Sequence, residues 1–236
     1  MNLVELTILI PCLNEEDTIA ICIKKAQIFL KNHSIDGEIL ISDNGSDDNS
    51  ISIAERLGAS VINVPQTGYG NALIAGCNNA RGKYVIMGDA DDSYDFSELM
   101  PLLRKLREGY DLVVGDRFAG GIEKGAMPWT HQYLGNPVLS YLGRKLFNSS
   151  VRDFHCGLRG YNRKSIIELG LHAPGMEYAT EMVAMAELKG LRVGSVPVKL
   201  RKDGRVNCKP HIRTVRDGYR HMYYMISTKI KYDLHL

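Results

Sequence analysis

The chain is short of the devices that staple small secreted proteins or anchor membrane-spanning ones. Its five cysteines, Cys12, Cys22, Cys77, Cys156 and Cys208, are odd in number and scattered, with no Cys-x-x-Cys pair. That pattern excludes a zinc ribbon and a disulfide framework, and predicts reduced thiols in a cytosolic setting. No stretch approaches the ~18 consecutive apolar residues of a membrane span. The amino terminus has no basic region ahead of its first apolar run, and Pro11 cuts that run short, so no signal peptide is expected. Internal repeats, low-complexity tracts and clear linkers are also missing. What remains is 236 residues, 44% hydrophobic and 24% charged, which suits one compact domain with a substantial core.

The net charge of +2 is small but unevenly spread. Residues 201–236 hold nine Lys/Arg against three Asp, a balance of +6, which leaves −4 for the first 200 residues. A basic tail on an acidic body predicts an anionic partner: phosphate, nucleic acid or lipid headgroups.

Hydrophobic periodicity alternates along the first half. Short apolar runs at Leu6–Pro11, Glu38–Ser42, Ser60–Val64, Lys83–Met87 and Asp111–Val114 read as strands. Between them, residues 15–30, 48–57, 69–80 and 96–107 have helical spacing. This is the signature of βαβ units, and it predicts an α/β fold with a mostly parallel central sheet flanked by helices. Near-continuous apolar strands imply that both sheet faces are covered. Strict alternation stops near residue 118, which divides a single compact domain into residues 1–118 and residues 119–236. In the second half, 131–147 is a Gly- and Pro-interrupted amphipathic stretch and 176–189 a helix. A strand is expected at Leu191–Val198, and 211–231 mixes Arg/Lys with Met and Tyr as a C-terminal amphipathic helix.

In an open parallel sheet, ligands bind beyond the carboxyl ends of the strands. The five loops there read Pro11-Cys12-Leu13-Asn14-Glu15, Asp43-Asn44-Gly45-Ser46-Asp47-Asp48, Gln66-Thr67-Gly68-Tyr69-Gly70-Asn71, Asp89-Ala90-Asp91 and Gly115-Asp116-Arg117. Each has a plain alternative. Asn14 and Glu15 can begin a helix, Ser46 or Asp47 can cap one, Gly68 and Gly70 can be turn glycines, and the acidic triplet can be a solvated loop. Together on one edge they predict a nucleotide pocket with a divalent cation at its phosphate end. Crowded carboxylates repel unless a cation lies between them, and Mg²⁺ takes one or two carboxylates plus phosphate oxygens. Asp43 can accept from a base N–H. The Gly68–Asn71 turn lets backbone approach a ligand at a helix N-terminus. Arg117 can make a charge-assisted contact to a diphosphate.

The order Pro-x-x-Asn-Glu, Asp-x-Gly-Ser-x-Asp, Gly-x-Gly-x-Ala, Asp-x-Asp resembles the family 2 glycosyltransferases with the GT-A nucleotide-sugar fold. Asp153-Phe-His-Cys-Gly-Leu-Arg-Gly-Tyr161, Ala173-Pro-Gly-Met-Glu-Tyr-Ala-Thr-Glu181 and Arg213-Thr-Val-Arg-Asp-Gly-Tyr-Arg220 resemble the dolichyl- and polyprenyl-phosphate sugar synthase branch. The likeness covers about residues 5–226, and it implies that residues 1–118 form a nucleotide-sugar-binding half and residues 119–236 an acceptor-binding half with a basic amphipathic C-terminal segment. One departure is that the second loop commonly carries Asp-Asp-Gly-Ser, whereas here the second acid is Asn44. Many relatives also add C-terminal membrane helices, which this sequence does not show.

The resemblance implies that Pro11, Leu13, Asn14, Glu15 and Asp43 hold the base and ribose, with Gly68, Asn71 and Ala90 also lining the donor pocket. It implies that Asp89 and Asp91 hold Mg²⁺ or Mn²⁺, with Asp91 the more direct ligand. Arg117 and Arg159 would face donor or acceptor phosphate, and Arg205 and Lys209 would lie on a basic loop closing over the phosphates. The implied reaction is inverting transfer of a hexose from a nucleotide sugar, a UDP-sugar before GDP-mannose, to a polyprenyl phosphate. A hydroxyl acceptor on a soluble or polymeric glycan is the alternative, with Glu177 or Glu181 as general base. A nucleotidyltransferase is disfavoured by the absence of a basic Gly-rich loop after the first strand. A non-catalytic nucleotide- or nucleic-acid-binding module is disfavoured by the intact acids. The basic, aromatic stretches 131–147 and 213–231 predict peripheral contact with an anionic membrane surface, on its inner, cytoplasmic face.

Overall fold

The computed structural model describes residues 4–206 and 214–234. The five apolar runs form strands β1 (Leu6–Cys12), β2 (Gly37–Asp43), β3 (Ser60–Asn63), β4 (Tyr84–Met87) and β5 (Leu112–Asp116). Between them lie helices α1 (Ile19–Asn32), α2 (Ser50–Arg56), α3 (Tyr69–Asn79) and α4 (Met100–Arg107). All seven residues of β1 are buried, as the sequence requires of a central strand covered on both faces. Helix α1 covers one face with Ile19, Cys22, Ile23, Ala26 and Phe29, at helical three- and four-residue spacing. Each large apolar side chain so buried stabilises the fold by roughly 1.5–3 kcal/mol. Helix α4 starts at Met100, four residues later than its periodicity suggested, with Pro101 in its first turn.

The rest of the chain comprises α5 (Arg117–Gly120), a π-helical turn (His131–Gly135), α6 (Asn136–Phe147) and β6 (Arg159–Asn162). Then come α7 (Arg163–Glu168), α8 (Tyr178–Leu188), β7 (Val193–Pro197) and α9 (Thr214–Asp233). The seven strands form one sheet in the order β3-β2-β1-β4-β6-β5-β7. Strand β6 runs antiparallel between β4 and β5, and β7 is parallel to β5. Residues on both sides of position 118 therefore build a single sheet. Strand β6 was not apparent from the sequence because Arg-Gly-Tyr-Asn contains no apolar run. It also delivers the chain between residues 153 and 158 to the open edge beside β4.

Candidate active site

Strands β1 and β2 end level, because Cys12 lies in register with Asp43. The loops that follow them are sewn together. Ser46 Oγ accepts from the Asn14 backbone N–H at 2.9 Å, and Asn14 Oδ1 accepts from the Asp47 N–H at 2.9 Å. Ser50 Oγ accepts from the Glu15 N–H at 2.8 Å. Asn14 sits at φ 57°, a left-handed conformation that asparagine tolerates. Asp43 is buried, and its carboxylate accepts from the N–H groups of Gly45 and Ser46 and from the Ser46 hydroxyl. Asp43 thus holds the turn that shapes this wall. Pro11 is buried and Leu13 half-buried at the same edge.

Asn44, the departure from the usual acid, is used at both ends of its amide. Nδ2 donates to Val64 O at 3.2 Å and Gln66 O at 2.8 Å, while Oδ1 accepts from the Gly68 N–H at 2.6 Å. A carboxylate can only accept, so it cannot make the first two bonds.

The glycine turn is not the open phosphate cradle predicted. The N–H groups of Gly70 and Asn71 donate to Pro174 O at 2.9 and 3.3 Å. A Cβ at Gly68, which has φ 138°, would lie 2.2 Å from the same oxygen. The close backbone approach that these glycines permit is therefore to the 173–174 segment of the chain itself. Asn71 donates its side-chain N–H to Thr67 O at 3.1 Å. The residue between the glycines, passed over in the sequence, does reach the acids: Tyr69 Oη donates to Asp89 Oδ1 at 2.9 Å.

Asp89, Ala90 and Asp91 leave β4 at the centre of the edge. Ala90 is fixed from below by the Cys22 thiol, which donates to its carbonyl at 3.3 Å. Asp91 Oδ1 accepts from the Ser93 N–H and hydroxyl at 3.0 and 2.6 Å. Burial first, and then the neighbouring charge of Asp91, push the Asp89 carboxyl up to about 6. Gly157 has to be glycine here, because a Cβ would fall 2.1 Å from Asp89 Oδ2.

One cation already lies in the field of these acids. Arg205 forks onto Glu15, with Nε 2.7 Å from Oε2 and Nη2 on Oε1. Its Nη1 lies 2.9 Å from Asp203 Oδ2 and 3.7 Å from Asp91 Oδ2. The Gly204 N–H donates to Asp91 O at 2.9 Å, so the segment carrying Arg205 crosses the acidic loop. Glu15, Asp91 and Arg205 thus lie together at this edge. Lys209 lies outside the described residues.

Three predicted contacts with substrate take a different form. Arg159 is fully buried in β6 and donates to the carbonyls of Cys156, Ala179 and Phe154 at 2.8, 2.6 and 2.7 Å. It ties the 154–156 loop to α8 and faces no phosphate, because its charge is spent on backbone oxygens. Arg117 forks onto buried Asp153, with Nε at 2.6 Å and Nη2 at 2.8 Å, and so fixes the start of that loop. Glu181 is buried and accepts from the His172 and Ala173 N–H groups and from Tyr224 Oη, so it is committed to structure. Glu177 pairs with Arg220 at 2.5 Å.

The fit to a divalent cation rests on Asp89 and Asp91. Two carboxylates forced together, one of them with a raised pKa, suit an ion that brings its own phosphate oxygens. Among the described residues no cluster of three or more His, Cys, Asp or Glu forms a complete metal cage. The donor set therefore suits a metal arriving with a diphosphate.

A mostly parallel sheet, paired acids at the end of β4 and a basic segment laid across them define the GT-A class of nucleotide-sugar fold. The solved structure of glucosyl-3-phosphoglycerate synthase from Mycobacterium tuberculosis, in complex with Mn²⁺, uridine diphosphate and phosphoglyceric acid, shares this fold. It superposes with a TM-score of 0.70 at 21% identity, over 97% of this chain and 78% of that one. Residues 7–170 match the model of glycosyl transferase family 2, and the chain belongs to that family. It is 36% identical over 223 residues to the low-salt glycan biosynthesis hexosyltransferase Agl6 of Haloferax volcanii, covering 94% of this chain and 53% of that protein. The dolichyl-phosphate hexose transferase of the same organism is 30% identical over 158 residues, covering 67% of this chain and 68% of the relative. The chain spans about half the length of Agl6. These relatives put it with the polyprenyl-phosphate sugar synthase-like branch.

Proposed function

We propose that this chain transfers a hexose, with inversion, from a nucleotide sugar to a polyprenyl phosphate at the cytoplasmic face of a membrane. A UDP-sugar is favoured over GDP-mannose as donor. The observation that carries the proposal is the meeting of Glu15, Asp91 and Arg205 beside Asp89 at the carboxyl edge of the sheet. Asp89 and Asp91 would hold Mg²⁺ or Mn²⁺, which when bound neutralises charge on the leaving diphosphate. The chain's own part is to orient and to exclude water. Asn14, Asp43 and Glu15 line the base end, and the 200–206 segment covers the phosphate end, where Arg205 can turn from Glu15 to the diphosphate. In the reaction an acceptor phosphate oxygen bonds to the sugar C1 as the bond from C1 to the diphosphate oxygen breaks. An ionised phosphate needs no general base.

That last point favours a lipid phosphate over a sugar hydroxyl. Of the two carboxylates named as bases for a hydroxyl acceptor, Glu181 is taken up by the His172 and Ala173 N–H groups and Tyr224, and Glu177 is paired with Arg220 through Oε1, its buried Oε2 having no partner. The name of one relative, a dolichyl-phosphate hexose transferase, points the same way. The test is to screen nucleotide sugars for metal-dependent binding, then supply the best donor with polyprenyl phosphate or with simple glycans. Lipid-linked product from the first acceptor alone is expected. Product only on a glycan hydroxyl would replace this reading with its alternative.

A further inference from the structure

Asp89 and Asp91 each have one carboxylate oxygen taken and one presented. Asp91 Oδ1 accepts from the Ser93 N–H and hydroxyl at 3.0 and 2.6 Å, and Asp89 Oδ1 accepts from Tyr69 Oη at 2.9 Å. Among the described residues, neither Oδ2 accepts a hydrogen bond. The Arg205 guanidinium stands off Asp91 Oδ2 at 3.7 Å. Asp89 Oδ2 faces Gly157, where a Cβ would lie 2.1 Å away, so the missing side chain leaves that oxygen uncovered.

The two caps differ in origin. Ser93 follows Asp91 by two residues, and bonds of that range are ordinary local chemistry for an Asp side chain. Tyr69 is 20 residues from Asp89 and is the first residue of α3. Its backbone is tied on both sides by the chain itself. The Gly68 N–H donates to Asn44 Oδ1 at 2.6 Å, and the N–H groups of Gly70 and Asn71 donate to Pro174 O. A Cβ at Gly70 would lie 2.0 Å from Ala173 O, so the turn is closed against the 173–174 segment. A ring carried on so fixed a turn returns its hydroxyl to one place. Packing alone would be met by phenylalanine, and only the phenolic oxygen makes the bond to Asp89.

How many oxygens a carboxylate offers separates small cations from large ones. Mg²⁺ demands a near-octahedral set and takes one or two carboxylates together with water and phosphate oxygens, and Mn²⁺ suits the same kind of oxygen set. Ca²⁺ takes about six to eight oxygens, often both from one carboxylate. A carboxylate whose first oxygen is already hydrogen-bonded offers its second without breaking that bond, and offers both only by breaking it.

We propose that Tyr69 is a positioning residue for the cation: by holding Asp89 Oδ1 it makes Asp89 a one-oxygen ligand through Oδ2, and so favours Mn²⁺ and Mg²⁺ over Ca²⁺. The proposal rests on the reading of Asp89 and Asp91 as the metal acids. Its test is a binding measurement and needs no turnover. The full chain would be titrated calorimetrically with the nucleoside diphosphate, UDP or GDP, that wild type binds in Mn²⁺, and then with the same ligand in Ca²⁺. Tyr69→Phe keeps the ring and removes the hydrogen bond. Its affinity in Mn²⁺ should fall about tenfold, the scale of a lost partner to a ligating carboxylate, while its affinity in Ca²⁺ holds or rises. Gly157→Ala tests the other oxygen independently of Tyr69. The added methyl crowds Asp89 Oδ2, so binding should weaken in both cations with the preference for Mn²⁺ kept. An unchanged preference in Tyr69→Phe, whether both affinities fall alike or neither moves, would overturn the proposal, as a merely structural tyrosine gives that result. So would Gly157→Ala binding in Mn²⁺ as tightly as wild type. Asp91→Asn separates the two levels of the argument. Wild-type binding that is strengthened by neither cation, or that Asp91→Asn retains in full, removes the metal reading and the proposal with it. Metal-dependent binding lost in Asp91→Asn but with an unchanged preference in Tyr69→Phe removes the proposal alone.

Discussion

Tyr224 on α9 donates its phenolic hydrogen to Glu181 Oε1 on α8, at 2.5 Å. Glu181 in turn receives the N–H groups of His172 and Ala173, and the next carbonyl, of Pro174, receives the N–H groups of Gly70 and Asn71. The contact thus joins the C-terminal helix to the glycine turn beside Asp89. A carboxylate so engaged is a brace and not a base. Glu181→Gln is expected to lower the melting temperature by about 3–8 °C, as loss of a charge-assisted bond implies. Turnover should fall less than tenfold with an unchanged pH–rate profile, where removing a general base costs about 10²–10⁴-fold. Calorimetry and steady-state kinetics check the two halves.

Asn44 makes a sharper case for a residue that only one amide can fill. In Asn44→Asp a carboxylate would face the Val64 and Gln66 carbonyls with no proton to offer. A penalty of about 1–3 kcal/mol is expected, and donor KM should rise because the Val64 and Gln66 carbonyls that lead into the Gly68 turn lose their donor. Burial would raise the pKa of the introduced carboxyl. The deficit relative to wild type is then full above that pKa and shrinks as pH falls through it. Melting curves of both proteins across the acidic range check this difference.

His155 gives the wild-type protein its own acid sensitivity. Burial first, and then His221, Arg117 and Arg159, hold its imidazole well below the ordinary value of 6.5. Its ring nitrogen Nε2 lies 3.5 Å from Thr180 Oγ1, which is 2.7 Å from His221 Nδ1. The native state keeps His155 neutral while the unfolded chain takes up a proton below about pH 6.5. Stability is therefore expected to fall with decreasing pH from that point, by up to about 1.4 kcal/mol per pH unit for one proton. His155→Gln should flatten this slope. Denaturant titrations at several pH values measure it.

Arg205 sits where it competes with a metal for Asp91 and yet serves the diphosphate. Arg205→Ala is expected to raise the affinity for free Mn²⁺, because a guanidinium 3.7 Å from Asp91 Oδ2 is removed. The same change should weaken metal-dependent UDP binding about tenfold, through loss of a charge-assisted contact. Isothermal titration of Mn²⁺ with and without UDP separates the opposite signs.

The parallel half of the fold was legible because β1, β2, β4 and β5 are apolar runs and the helices between them have clear periodicity. Strand β6 was hidden, since a four-residue strand reading Arg-Gly-Tyr-Asn is recognised only by its neighbours β4 and β5. The acids of the site were legible from their position after β4. The direction of the arginines was not: Arg117, Arg159 and Arg205 look alike in sequence, yet one grips Asp153, one grips backbone carbonyls and one crosses the acidic loop. Tyr69 could have been found from its place between two glycines at a strand end, facing the loop that carries Asp89.

The most direct test of the proposed function compares hexose transfer from a UDP-hexose to polyprenyl phosphate by wild type and by Asp91→Asn, at matched Mg²⁺ or Mn²⁺. Wild type is expected to form the lipid-linked sugar and to stop when the metal is chelated. The variant should keep its fold and lose at least about 10²-fold in rate, the scale of a lost electrostatic stabiliser. Wild-type transfer by the Asp91→Asn protein at the same metal concentration would contradict the account.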